Sequence, residues 1–322
     1  MMFIPSVLAA ALALLPSVGY AVNRSAAELA SYSSNNSQDD GNLNFCIGAK
    51  NPNGGCKTTD DYLADLNALA NYSSTVRTYA TSDCNTLQNL LPALSQASHN
   101  FSAYVGVWPT DDAHYAQEKN ALTQFLPKYG VRNVKGITVG SEVLYRNDLS
   151  ASVLGDRIKD VRGLVKSLGF DVPVGTADSW NLWAAGSGDA AIQASDFIMA
   201  NDFPYWQGQN TSNMTNTFVS DTLTALERVQ HVKGTNNVTF LVGETGWPTG
   251  GPHYGEAQTS VDIAKQFFHD ALCQVLKKGI DICYFEAFDE PYKGADSNVE
   301  PHFGAYYSNR VPKFSLNCTE SS

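Results

Sequence analysis

The chain has 322 residues, 43% of them hydrophobic, and a formal net charge of -11 at pH 7. Such a chain buries a sizeable core in one or two domains and is neither a disordered segment nor a bundle of membrane helices. Its acidity argues against nucleic acid and anionic membrane as partners, since both demand basic patches, and leaves a neutral substrate open.

In chain order, residues 1–21 form an apolar run that ends on Gly19, Tyr20 and Ala21, small at the positions a signal peptidase reads. The run reads as a secretory signal peptide. It is short for a membrane span and carries Pro5 and Pro16. Residues 22–40 are rich in Ser and Asn and read as a flexible lead-in, and 41–322 as one folded catalytic domain. The last residues, 317–322, are polar and carry no lipid-anchor signal.

From residue 43 onward, short β-rich runs alternate with amphipathic helical runs. The strands are expected at 43–49, 75–80, 101–108, 134–142, 172–178, 197–205, 238–247 and 281–289. Between them, helices are expected at 60–70, 86–97, 112–129, 151–168, 217–232 and 261–278, on apolar spacings such as Leu63, Leu66 and Leu69. Gly130, Gly169, Gly234 and Gly279 fall just past helix ends, where a left-handed cap belongs. A shorter helix, 184–195, contains glycine, and no final helix is evident after the eighth strand. Eight βα units predict α/β architecture closed as a single (β/α)8 TIM barrel. An open doubly wound sheet would carry a Gly-rich phosphate loop after its first strand, and 46–55 holds none.

Barrel chemistry is drawn from the C-terminal ends of the strands. Glu142 ends the fourth strand and Glu244 the seventh, each after an apolar run and a glycine. Strand alternation predicts that Thr138 and Gly140 point inward with Glu142, and Phe240 and Val242 with Glu244. A single glutamate is more often an ion-pair partner, but two at opposite strand ends suit glycosidic cleavage. One protonates the leaving oxygen while the other attacks the sugar, at about 5 to 5.5 Å separation in a retaining enzyme and further apart in an inverting one. Glu142 is expected to have the higher pKa of the pair.

The eighth strand ends in Glu286, Asp289 and Glu290, with Lys293 beyond. Glu290 and Lys293 suit an ion pair that also binds sugar hydroxyls, and Glu286 suits substrate or barrel wall equally. Sugar rings stack on aromatic faces, and Tyr79, Trp108, Tyr205, Trp206 and Trp247 fall at or beyond strand ends. Asn201 suits a hydroxyl contact or a turn. There is no G-x-S-x-G, H-E-x-x-H or G-x-x-x-x-G-K, the histidines lack metal-ligand spacing, and neither metal nor cofactor is expected. The six cysteines, Cys46, Cys56, Cys84, Cys273, Cys283 and Cys318, show no Cys-x-x-Cys and favour disulfides of unassigned connectivity. Eight N-x-S/T sequons, from Asn23 to Asn317, fit an exported glycoprotein.

The segments Val139-Gly140-Ser141-Glu142-Val143-Leu144-Tyr145-Arg146-Asn147-Asp148 and Val242-Gly243-Glu244-Thr245-Gly246-Trp247-Pro248 resemble the acid/base and nucleophile segments of fungal cell-wall members of glycoside hydrolase family 17. Ser82 to Leu87, Trp108 to His114 and Phe285 to Glu290 extend the resemblance, which covers about residues 42–318. It implies a (β/α)8 fold, action on β-1,3-glucan with retention, Glu142 as acid/base and Glu244 as nucleophile. It also implies a charged pair at Glu290 and Lys293, with subsite aromatics at Tyr79 and Tyr205. Similar fungal proteins are often glucanosyltransferases, so the expectation is transfer to another glucan, with endo-hydrolysis and then non-catalytic glucan binding as alternatives. An extracellular or wall location and a monomer are expected.

Two positions depart from the family pattern. Ser141 stands where an Asn usually contacts the sugar 2-hydroxyl, and Tyr292 where Trp is frequent. Cys46 and Cys283 lie outside the usual cysteine set, on strands expected to be neighbours, either paired or as two buried thiols. The same comparison makes partners of Cys56 with Cys84 and Cys273 with Cys318.

Overall fold

The structure, a computed structural model, describes residues 40–295 and 297–319. The signal peptide and nearly all of the lead-in lie outside those residues. Eight parallel strands close in sequence order into a barrel: β1 Leu43–Cys46, β2 Thr75–Arg77, β3 Ser102–Val107, β4 Val134–Ser141, β5 Val174–Ser179, β6 Phe197–Asn201, β7 Thr239–Thr245 and β8 Asp281–Tyr284. Closure is made by β1 on β8, with Leu43 opposite Ile282 and Phe45 opposite Tyr284. A closed parallel sheet has no free edge, and helices shield its outer face.

Those helices are α1 Thr59–Leu69, α2 Thr86–Gln96, α3 Asp112–Tyr129, α4 Ala151–Ser167, α5 Trp180–Ala184, α6 Asp189–Ala194, α7 Met214–Lys233 and α8 Val261–Phe267. The helix expected over 184–195 is broken: Gly186, with φ of 78°, separates α5 from α6. The last helical run continues from α8 through a π turn, Phe268–Leu272, into Cys273–Leu276. After β8 the described residues form the 3-10 turns Pro291–Lys293 and Glu300–His302 but no α-helix.

Side-chain caps start several helices. Thr58 and Asp61 form a reciprocal capping box at α1, and Asp111, Ser150 and Ser260 accept from the backbone of His114, Val153 and Ile263. All four predicted glycine caps have positive φ. Two disulfides, Cys56–Cys84 and Cys273–Cys318, tie the β1–α1 loop to the β2–α2 loop and the C-terminal segment to the last helical run. Cys46 and Cys283 are buried free thiols. Among the described residues no helix is long and apolar enough to cross a membrane.

The alternation predicted for the catalytic strands holds only in part. Thr138 does face the barrel axis, where its hydroxyl meets Met199 Sδ at 3.9 Å. Between Thr138 and Ser141, however, the register of β4 against β5 shifts. Gly140, at φ of 80°, therefore turns outward: a Cβ there would meet Val143 and Leu154. A similar shift lies between Val242 and Thr245 of β7, and it is Gly243 rather than Val242 that faces the axis. A bulge adds a residue and re-aims the side chains after it. Ser141 with Glu142, and Gly243 with Glu244, thus occupy the mouth as consecutive residues.

Candidate active site

At the mouth, β2, β4, β6 and β7 bring together Arg77, Ser141, Glu142, Asn201 and Glu244. Arg77 is 1% exposed and aims its guanidinium across the barrel. Its Nη1 lies 3.0 Å from Glu244 Oε1 and donates to Gly243 O at 2.7 Å, while Nη2 donates to Ser141 Oγ at 3.0 Å. Gly243 makes room for this: a Cβ there would sit 2.7 Å from Met199 Cβ, 2.8 Å from Asn201 Oδ1 and 3.0 Å from Arg77 Nη1.

Ser141 Oγ donates to Glu244 Oε1 at 3.0 Å and accepts from Asn201 Nδ2 at 3.3 Å. The same amide nitrogen donates to Glu142 Oε1 at 3.1 Å. One amide and one hydroxyl therefore link the two carboxylates. The amide that the family pattern puts at 141 is replaced by a hydroxyl, and an amide reaches Glu142 from β6 instead.

The two glutamates sit in unequal surroundings. Glu244 is buried against the full positive charge of Arg77. Glu142 is half-buried, and its nearest cation, Arg146 Nη1, is 3.9 Å away. Burial, then the negative charges of Glu244 and Asp178, push Glu142 up to about 7, against the Asn201 hydrogen bond and Arg146. Burial disfavours the charged carboxylate and like charges add to it, so Glu142 retains its proton where an ordinary carboxyl is ionised.

The other predicted residues fall in three groups. Glu286, Glu290 and Lys293 form a buried triad, with Lys293 Nζ 2.8 Å from Glu286 Oε1 and 2.9 Å from Glu290 Oε2. Burial and the neighbouring Glu290 hold Glu286 well above the carboxylate range; in Glu290 burial is outweighed by Lys293 and Lys57, and the group is lowered. Tyr292 donates its hydroxyl to Glu290 Oε2 at 2.5 Å, which fixes the ring that stands in place of Trp. Tyr79 lies beside the ion-pair partner of Glu244, its ring 5.0 Å from the Arg77 guanidinium.

Tyr205 and Trp247 are placed differently from the expectation of sugar stacking. Both are fully buried, 5.7 Å apart between ring centroids, with Tyr205 Oη donating to Pro252 O and Trp247 Nε1 to Gln258 O, each at 2.7 Å. Their rings pack with Phe303 and Phe267, and no face is left for a ligand. The half-buried aromatics around the mouth instead include Trp108, Tyr145, Trp206 and Tyr254, with Tyr79. Trp108 carries Arg146 over its ring at 5.0 Å.

Arg77, Asp178, Tyr145, Arg146 and Glu300 were not singled out from sequence. Burial and the charge of Glu142 push the Tyr145 phenol up, and burial raises Glu300, which senses Lys293 and Glu244. For Arg77 and Asp178 the signal was present, since both are charged residues near the ends of apolar strands, the rule that selected the glutamates. Asp83, His114 and Glu118 also cluster, with His114 Nε2 at 2.8 Å from Asp83 and 3.3 Å from Glu118. Glu118 already accepts from the backbone of Thr81 and Ser82, so the cluster acts as an ion triad that fixes the β2–α2 loop.

The BtgE/BtgC glycoside hydrolase domain matches residues 44–304. The chain belongs to this family. A relative, the glucan 1,3-beta-glucosidase of Schizosaccharomyces pombe, is 68% identical over 320 residues, 99% of each chain. The glucan 1,3-beta-glucosidase of Saccharomyces cerevisiae is 49% identical over 288 residues, 86% of this chain and 91% of the relative. Among solved structures, the glycoside hydrolase family 17 β-1,3-glucanosyltransferase of Rhizomucor miehei aligns with a TM-score of 0.73 at 35% identity, covering 85% of this chain and 96% of that one. The resemblance read from the two glutamate segments thus holds, and the BtgE/BtgC barrel is that of the wider glycoside hydrolase family 17.

Proposed function

We propose that this protein is a retaining β-1,3-glucan-active enzyme, with Glu142 as acid/base and Glu244 as nucleophile. The observation that carries the proposal is the inequality of the two linked carboxylates, one held beside a buried arginine and the other kept protonated to about pH 7. Glu142 donates its proton to the glycosidic oxygen as Glu244 attacks the anomeric carbon, and a covalent glycosyl-enzyme results. Glu142, now ionised, then takes the proton of the incoming hydroxyl. Arg77 and Ser141 hold the nucleophile Oε1, and Asn201 holds Oε1 of the acid. The substrate class follows the names of the relatives and of the solved structures, one of them in complex with laminaritriose.

The glycosyl-enzyme can pass to water or to a sugar hydroxyl, and we favour a sugar hydroxyl. Two solved neighbours, at 34% and 35% identity, are named glucanosyltransferases, which supports transfer, and the curated relatives glucan 1,3-beta-glucosidases, which supports hydrolysis. Incubation with laminari-oligosaccharides of defined length decides. Products longer than the donor are expected, and exclusively shorter products would leave the hydrolytic reading. Loss of all turnover in Glu244→Gln is the companion result; persistence of turnover would refute the mechanism. The apolar run at 1–21 and the disulfides support a secreted, extracellular or wall protein.

A further inference from the structure

Behind the acid lies a carboxylate closed to solvent. Asp178, in β5, is fully buried. Its Oδ2 accepts from Leu144 N at 2.8 Å, and its Oδ1 from Tyr145 N at 3.1 Å and Ser179 N at 2.8 Å. Leu144 and Tyr145 are the second and third residues after Glu142.

Those residues begin a tight turn. Arg146 N donates to Glu142 O at 3.0 Å, Asn147 N to Leu144 O at 3.0 Å and Asp148 N to Val143 O at 2.8 Å. The first N–H groups of such a turn have no acceptor within it, as at a helix start. Asp178 supplies that acceptor from the neighbouring strand, in the way a capping residue does from within the chain. The anchor matters because Glu142 enters the turn at φ of 56°, a conformation that non-glycine residues adopt only when their surroundings impose it.

We propose that Asp178 is a positioning residue for the acid/base: it anchors the turn that aims the Glu142 carboxyl at the glycosidic oxygen, and its buried charge helps keep that carboxyl protonated. The inference rests on the acid/base role of Glu142 proposed above. The groups facing Glu142 are Asp178 from β5, Asn201 from β6, Glu244 from β7, and Arg146 and Tyr145 from its own turn. Burial, Glu244 and Asp178 raise Glu142, and Asn201 and Arg146 lower it. Asp178 itself is pushed up to about 6 by burial, against its three backbone donors and Arg146, so its ionised form predominates in the upper part of the range in which Glu142 titrates. Without that charge Arg146 is less opposed, and Glu142 loses its proton at lower pH.

The test compares Asp178→Asn, Asp178→Glu and wild type on a laminari-oligosaccharide and on 2,4-dinitrophenyl β-laminaribioside, whose leaving group needs no proton. For Asp178→Asn, kcat on the oligosaccharide should fall about 10- to 100-fold with KM within about threefold. The alkaline limb of kcat/KM should move down by about half a pH unit or more, and kcat/KM on the dinitrophenyl donor should fall far less. Asp178→Glu should lower kcat yet keep the limb near its wild-type position. Equal losses on both donors with an unmoved limb would reduce Asp178 to fold maintenance and overturn the proposal, as would unchanged kcat. If Asp178→Asn does not fold, Asp178→Ser is read in the same way, and failure of every uncharged variant to fold also counts against a role specific to the acid. Glu142→Ala is run in parallel. If it lowers kcat/KM equally on both donors and keeps the alkaline limb, the acid/base reading fails whatever Asp178 does.

Discussion

At the scale of single residues, the site works by giving two chemically identical side chains different partners. Glu142 is raised above the usual carboxylate range, so the protonated form that the proposed mechanism requires is present below about pH 7 and lost above it. The alkaline limb of kcat/KM should accordingly lie near pH 7, as a macroscopic value of the coupled pair, and Glu142→Gln should abolish it together with most turnover. pH profiles of wild type and variant check this; a wild-type limb below about pH 5 would refute the inequality. Arg77 gives a second prediction. Arg77→Met leaves Glu244 buried beside no cation, and kcat should fall about a hundredfold or more. Arg77→Lys keeps the charge but cannot span Glu244, Gly243 O and Ser141 at once, and should fall in between. Steady-state kinetics on folded variants, verified by circular dichroism, decide the order.

At the scale of elements, loops on the mouth are held by ion groups as much as by packing. The hydrogen bond to Glu118, opposed by burial and aided by Asp83, pushes His114 up to about 9 from an ordinary 6.5. A folded-state pKa above the unfolded one means that this contribution is complete below about pH 6.5 and is lost as pH rises through about 9. The Tm difference between wild type and His114→Gln should therefore be largest near pH 6 and shrink towards pH 9.5, as a thermal-melt series would measure.

The same scale shows what the sequence made legible and why. Helix ends were readable because caps are local chemistry, as with Gly130 and Gly169, and α3 has the bounds its apolar spacing predicted. The alternation inferred through Gly140 and Val242 was not readable, because a register shift is decided by the neighbouring strand. Tyr205 and Trp247 show a related limit. An aromatic at a strand end is placed by its sequence position, but whether its face is open depends on rings such as Phe267 and Phe303, which arrive from distant segments. Both glutamates were legible because position and chemistry coincide at the strand end; Asp178 shares that position, but its role rests on backbone partners that become its neighbours only in the fold.

For the whole molecule, covalent closure and thiol chemistry are separable. Cys56–Cys84 spans 28 residues and Cys273–Cys318 spans 45, loops for which chain entropy gives a stabilisation of about 3 to 4 kcal/mol each. Reduction should lower Tm by several degrees without altering the barrel interior. Titration with a thiol reagent should find no reactive group in the native protein and two, Cys46 and Cys283, after denaturation. Native reactivity would contradict the closure of β1 on β8.

The register shifts near the ends of β4 and β7 also bear on how this protein can change. Just below them Thr138 packs against Met199, and above them Ser141 with Glu142 and Gly243 with Glu244 are out of phase with that packing. Each bulge acts as a mechanical clutch between a scaffold tuned by packing and a mouth tuned by charge. Libraries that repack the lower interior should therefore shift thermal tolerance while product lengths stay the same. Libraries at the half-buried mouth residues Trp108, Trp206 and Tyr254 should do the reverse, whereas Gly140, at positive φ, and Gly243, with Met199 against it, leave no room for a side chain; selection can adjust durability and chemistry of this barrel on separate axes.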